Sequence, residues 1–238
     1  MSVVYVATLS IFCIFTVIAA PYFLGKIGLA SLYIFYIMMS QVLINIRIDV
    51  FDITIVVGGV MFAALSVSID VMTEFYGKEF ARKIINLGAA SLVCLFIIIN
   101  LIKLLPLENN EFTNSYILLF SNQNRVITAD LFFSYFLFQK VDVLIFEFLR
   151  RKTKGRHLWL RGGMSTVISQ TLIAFTFYEI VFLNTLPQKT ILTVIASGLV
   201  IKYLFSFGEI PMLYLLKKMM PKSRYNAEMA DITAQEKR

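Results

Sequence analysis

The sequence predicts an all-α fold: a polytopic bundle of about seven membrane-spanning helices. Three observations predict it. Hydrophobic residues make up 58% of the 238 positions and the mean hydropathy is +0.78, well beyond a water-soluble domain. Several apolar runs reach the roughly 20 residues that a helix needs to cross the hydrocarbon layer. Acidic side chains sit inside such runs, the pattern of a polar interior shielded from lipid.

The spans expected from these runs are Val3–Leu24, Ile27–Leu43, Ile53–Met72, Ile84–Leu105, Val126–Leu149, Met164–Leu183 and Ile191–Leu216. The first lacks a basic leader and a small-residue cleavage site, so it reads as a retained helix rather than a signal peptide. The third runs into VMFAALSVSIDVMTEFYGKEFARK, where Asp70 and Glu74 are four residues apart. That spacing puts them about 40° apart on a helix, facing one way. A charge at the bilayer centre costs on the order of 3 kcal/mol, so two on one face point to an internal site. The fourth span is followed by the one sizeable outer loop, Pro106–Arg125, with Asn109, Asn110, Ser121 and Asn122 as turn residues and Ile117–Phe120 placed at the interface.

The fifth span carries Lys140, Asp142 and Glu147. Glu147 is near a cytoplasmic end and is expected to snorkel to the headgroups. Asp130 and Glu179 lie toward outer ends and read as interfacial. The loop RRKTKGRHLWLRGGM supplies basic residues, an interfacial anchor in Trp159 and glycines for a tight turn. The sixth span, MSTVISQTLIAFTFYEIVF, holds Ser165, Ser169 and Gln170. These suit interhelical hydrogen bonds, and the Gln170 amide also suits the edge of a heterocycle. In the seventh span Lys202 and Glu209 are seven residues apart, on one face and about 10 Å apart along the axis. The Lys202 ammonium needs a counter-charge, from Asp70, Glu74, Asp142 or Glu209. A structural ion pair that only fixes packing is the alternative reading. Residues 1–220 form a single transmembrane domain, and 221–238 a polar cytoplasmic tail.

Lys and Arg set the orientation. Sixteen fall on one side of the spans and four (Arg47, Lys103, Arg125 and Lys189) on the other. By the positive-inside rule the C-terminus is cytoplasmic and, with seven spans, the N-terminus outside. The net charge of +7 thus reflects orientation and contact with the lipid bilayer, not nucleic-acid binding. Cys13 and Cys94 have no disulfide or zinc spacing, and His157 is the only histidine. No metal site, cofactor or catalytic nucleophile–base set is expected, and the absence of GxxxxGK[ST] excludes a built-in ATPase.

Three segments carry a family resemblance: SIDVMTEFYGKEFARKI, FQKVDVLIFEFLRRKTKGRHLWLRGGMSTVISQ and IKYLFSFGEIPMLYL. On these the chain resembles the queuosine precursor transporters, vitamin-uptake-like proteins of bacterial inner membranes. The resemblance covers most of Leu43 to Leu216, with Met1 to Leu24 looking like an extra first helix. It implies an extra helix plus a six-helix core similar to the substrate-binding subunits of energy-coupling-factor transporters, acting without a dedicated ATPase. It also implies inward transport of a 7-deazaguanine-type base (preQ0, preQ1 or queuine) salvaged for tRNA modification. The family's D-x-x-x-E-x-Y-G pattern maps onto Asp70, Glu74, Tyr76 and Gly77. Its S-T-x-x-S-Q pattern maps onto Ser165, Thr166, Ser169 and Gln170. A late lysine maps onto Lys202, an acid before proline onto Glu209 with Pro211, and an outer asparagine onto Asn45. Ile173 stands where many members have aspartate, and Leu199 where a tyrosine is expected.

The chemistry expected of such a site is specific. A carboxylate accepts hydrogen bonds from the base N1–H and exocyclic amine, with Asp70 and Glu74 leading and Glu209 next. Gln170 or Asn45 reads the carbonyl or pyrrole edge, and Tyr76 or Phe205 stacks on the ring. The rival readings are a substrate-binding subunit for another vitamin or heterocycle that relies on a partner ATPase, an intramembrane enzyme, and a purely structural bundle. Assembly into a homo-oligomer is compatible with the sequence, which does not set the number of chains.

Overall fold

The computed structural model describes residues 2–44, 46–50, 53–120, 123–129, 139–153, 158–182 and 187–219. In chain order these form α1 (Ser2–Phe23), α2 (Gly25–Leu43), β1 (Arg47–Val50), β2 (Ile53–Val56), α3 (Val57–Tyr76), α4 (Lys78–Lys103), α5 (Glu111–Phe120), α6 (Gln123–Ala129), α7 (Gln139–Lys152), α8 (Leu158–Phe182) and α9 (Gln188–Met219). The architecture is the all-α polytopic bundle expected from the sequence. Among the described residues, α2, α3 and α4 are each long and apolar enough to cross a membrane, and apolar runs also occur at Ala7–Phe23, Val167–Ile180 and Gln188–Val200.

The bundle is organised around α3, which packs against α1, α2, α4, α7 and α9. Every residue of α3 from Val60 to Tyr76 is buried. The surrounding helices are one-sided. In α4 the buried positions Ala81, Ile84, Ile85, Gly88, Leu92 and Ile99 recur at helical spacing, while Leu87, Ile97, Ile98 and Leu101 on other faces are exposed. Asp70, Glu74, Gln41 and Gln170 are buried among apolar side chains, while large apolar side chains also cover the outside, as lipid allows.

Two joints are single-residue breaks. Gly25 (φ 66) begins α2 one residue after α1 ends, and Gly77 (φ 84) separates α3 from α4. A positive φ is open to glycine without a Cβ penalty. As a result Lys78, Arg82 and Lys83 lie on the first turns of α4, not in a loop, and α4 begins six residues before the expected span.

The third span needs correction. Ile53–Val56 is not helix but pairs antiparallel with Arg47–Val50, in a register from Arg47↔Val56 to Val50↔Ile53. The β-branched run Ile-Thr-Ile-Val favours extended backbone, and the Val57 N–H donates to the Ile46 carbonyl at 2.9 Å, closing the hairpin base. The helix then runs from Val57 to Tyr76, so Asp70 and Glu74 lie within it. At its start Gly58 sits against α2: a Cβ there would be 2.6 Å from the Ser40 carbonyl oxygen. The hairpin rests on α1 and α9, and the Arg47 guanidinium lies 5.3 Å over the Phe182 ring at the end of α8.

The fifth span appears as α6 and α7, with 130–138 outside the described residues. The loop expected at Pro106–Arg125 contains the short helix α5. The bundle therefore has a hairpin end and, opposite it, a basic end where α3 meets α4 and where α7 and α9 finish.

Candidate functional site

Ser66, Asp70 and Glu74 follow one another at four-residue steps on α3, a slowly winding polar stripe along the most buried helix. Asp70 and Glu74 are each 1% exposed, so neither is a helix end reaching for headgroups. At the basic end, Lys217 of α9 brings its Nζ to 3.8 Å from Glu74 Oε1. Arg150 of α7 donates from its Nη1 to the Thr73 carbonyl at 3.5 Å. The same Nη1 lies 3.8 Å from Glu147 Oε2, and Arg151 Nε lies 3.2 Å from Glu147 Oε1. Glu147 is buried between these arginines. This corrects the expectation that it snorkels: with the cations brought to it, the carboxylate has no need of the headgroup layer.

One level toward the hairpin end, Gln170 of α8 reaches across to α3 and donates from its Nε2 to Ser66 Oγ at 2.5 Å. Ser169 beside it is fully buried. Gln170 Oε1 is buried and accepts no hydrogen bond from the described residues, so this acceptor is open to a ligand donor. Phe62 on α3 and Ile173 on α8 stand one turn further along their helices. There a small hollow of about 20 Å3, room for about one water, lies between α2, α3 and α8, lined by Ser40, Gln41, Ile44, Gly58, Gly59, Phe62, Ile173, Phe177 and Tyr178. An amide, a hydroxyl and three aromatic rings border this space.

The residues singled out in the sequence divide accordingly. Asp70, Glu74, Ser169 and Gln170 are brought into the bundle interior. Tyr76 is also buried, but its ring packs on Phe80 at 5.5 Å, beyond Glu74 at the α3–α4 joint and away from the hollow. Asn45, Asp130 and His157 lie outside the described residues. Lys202, Phe205 and Glu209 fall within α9, and Ser165 and Asp142 within α8 and α7, but their side chains are outside the described residues. Ile173, the position of the missing aspartate, lines the hollow. Glu179 accepts from Gln188 Nε2 at 2.8 Å at the hairpin end, in an exposed contact.

Sequence reasoning missed four contributors. Ser66 extends the Asp70–Glu74 spacing by one step and was legible as such. Gln41 is the one carboxamide in a second span whose other polar side chains are hydroxyls. Lys217 was counted only as an orientation charge. Tyr178 carries no sequence signal that separates it from the other aromatic residues, 22 Phe and 11 Tyr in all.

Comparison with known proteins places the chain in a family. A family model described as "Putative vitamin uptake transporter" matches residues 56–216, which takes in α3 to α8 and nearly all of α9. A "Probable queuosine precursor transporter" from Bacillus subtilis (strain 168) is 29% identical over 199 residues, covering 83% of this chain and 86% of that one. No solved structure matches the chain.

Proposed function

This chain belongs to the vitamin uptake transporter family, and from that premise we propose that it carries a queuosine precursor, a 7-deazaguanine-type base, inward across the bacterial cytoplasmic membrane. The likeness to the B. subtilis protein supports the substrate class. The observation that carries the reading is the buried stripe itself: an acid on α3 and an amide on α8, both almost free of solvent.

The 7-deazaguanine ring presents N1–H and an exocyclic amine side by side, and one carboxylate accepts both. Asp70 takes this role: it stands one turn nearer Gln170 than Glu74 does, on the same buried stripe of α3. Gln170 Oε1 accepts from a ring N–H while its Nε2 stays on Ser66. In a site without water, each group left unpaired costs about 1–3 kcal/mol, which rejects bases lacking the amine. The Glu74–Lys217 pair ties α9 to α3 at the basic end, and release of the base inward requires the two to part. The lysine and arginine bias supports a cytoplasmic location for that end.

The test is restoration of queuosine in tRNA. Cells unable to make the precursor, given preQ0, preQ1 or queuine at low external concentration, are expected to regain modified tRNA when they express this chain. No restoration with any of the three bases, at verified membrane expression, would overturn the proposal. Recovery that depends on a co-purifying ATPase would convert it to the substrate-binding-subunit reading.

A further inference from the structure

The outward side of α4 carries a pattern of its own. Its buried side packs on the bundle, but Asn86, Ala90, Val93 and Ile97 are all exposed. They follow one another at steps of four, three and four residues, the spacing of a seam between two helices that supercoil left-handedly. The first of them, Asn86, is a carboxamide whose side chain makes no hydrogen bond among the described residues. Asn100 occupies the same seam position two heptads on, about 21 Å away along the axis. It is half-buried and donates from its Nδ2 to the Phe96 carbonyl at 2.7 Å.

Lys83 and Lys103 bracket the run, about 30 Å apart along the helix, which matches the thickness of the hydrocarbon layer. Asn86 is one turn inside Lys83. Acyl chains solvate Val93 and Ile97 but offer the amide neither a donor nor an acceptor. An asparagine carries both, so it is complementary to itself across a two-fold axis. All copies of the chain share one orientation in the membrane. Two α4 helices therefore run parallel, and Asn86 meets the same residue of the second copy at the same depth. A different protein would have to present a matching polar group at that level. Ala90, one turn on, lets the two backbones approach. Beyond the hydrocarbon the seam continues through Glu79 and Lys83. The Glu79 side chain is 46% exposed beside Arg82, and Lys83 is exposed. Across the two-fold each Glu79 comes beside the Lys83 of the other copy, so the charges are complementary as well.

We propose that this face of α4 is the contact between two copies of the chain: a parallel two-fold dimer with Asn86, Ala90, Val93 and Ile97 as its seam, keyed by a hydrogen bond between the two Asn86 side chains. Asp70 and Gln170 of each copy lie inside its own bundle, on α3 and α8, so the dimer holds two separate sites. The contact does not depend on which solute is carried.

Oxidative cross-linking of the full-length chain in phosphatidylethanolamine–phosphatidylglycerol vesicles tests this. The background is Cys94→Ala, with Cys13, 1% exposed, left in place. Val93→Cys and Ile97→Cys are each expected to give a disulfide-linked dimer. Ile98, 52% exposed, is about 100° around the helix from Ile97, and Ile98→Cys is expected to stay monomeric. Asn86→Leu is expected to weaken association about tenfold, read from energy transfer between labelled chains as they are diluted in lipid. The same variant is expected to melt no lower than the wild type in detergent, because it only removes an amide from the lipid-facing side. A lower Tm would assign Asn86 to its own bundle and overturn the proposal. Cross-linking of Ile98→Cys as readily as of Val93→Cys, association that Asn86→Leu leaves unchanged, or a monomer at every dilution would also overturn it. So would Val93→Cys that, in cells, traps another protein and no second copy. The transport reading stands in each of these cases.

Discussion

The Glu74–Lys217 pair allows a sharp prediction because its two ends are buried so differently. The Glu74 side chain is 2% exposed and that of Lys217 37%, at 3.8 Å. At an effective dielectric near 20, two unit charges at that distance attract by about 4 kcal/mol. Desolvating the carboxylate offsets much of this, so the net value of the pair is modest. Removing one partner is not symmetric, however. Lys217→Met takes the cation away from a carboxylate that water does not reach, at a cost of about 2 kcal/mol once the exposure of Lys217 is discounted from the 3–5 kcal/mol typical of broken buried pairs. Glu74→Gln leaves a neutral amide in the same volume and a lysine already in partial contact with water, at a cost below about 1 kcal/mol. The double variant is expected to resemble Glu74→Gln, because no buried charge is left behind. Thermal denaturation in detergent, followed by size-exclusion chromatography, reads the order directly. A cost of about 2 kcal/mol corresponds to a fall in Tm of roughly 4–8 °C in a chain of this length. If Lys217→Met melts with the wild type, or the double variant is as damaged as Lys217→Met alone, the pairing across the basic end is wrong.

Other perturbations probe other levels of the structure. Asp70→Asn, at normal expression, is expected to lower precursor uptake at least tenfold, about 1.4 kcal/mol, and to abolish discrimination against bases lacking the exocyclic amine; uptake at wild-type rate would remove Asp70 from the site. Gly58→Ala forces a Cβ to within 2.6 Å of the Ser40 carbonyl and is expected to destabilise by about 1–3 kcal/mol. Gly59→Ala, with only the Tyr178 hydroxyl near, at 3.6 Å, is expected to melt close to the wild type, so equal Tm values for the two variants would contradict the α2–α3 approach. Arg47→Ala removes the cation over Phe182, worth about 0.5–1 kcal/mol. It is expected to speed hydrogen exchange of the Arg47–Val56 ladder without altering exchange in α3, and unchanged exchange in the ladder would show that the hairpin is held by other contacts.

The bundle was legible in the sequence because lipid demands long apolar runs, and those runs are conspicuous. Asp70 and Glu74 were legible for the same reason: an acid in such a run has to face inward. The hairpin was not, because Ile53–Val56 is as apolar as a helix turn, and hydropathy does not separate a strand from a helix over four residues. Only the pairing of Arg47 with Val56 across the chain decides it. Lys217 was hidden by a one-dimensional count, in which a lysine after the last span reads as an orientation charge, whereas the fold brings the end of α9 to the end of α3. Glu147 was misjudged because its position along the span was legible but its neighbours Arg150 and Arg151, one turn on, were read as belonging to the loop. Gln41 and Tyr178 needed the α2–α3–α8 arrangement before either had a shared space to line.

Uptake by proteoliposomes containing only this purified chain tests the central claim most directly. With labelled preQ0 outside, the account predicts saturable accumulation that unlabelled preQ0 competes away, that a base lacking the exocyclic amine does not, and that Asp70→Asn loses. Uptake no faster than in protein-free vesicles, or uptake indifferent to the amine and to Asp70, would contradict it.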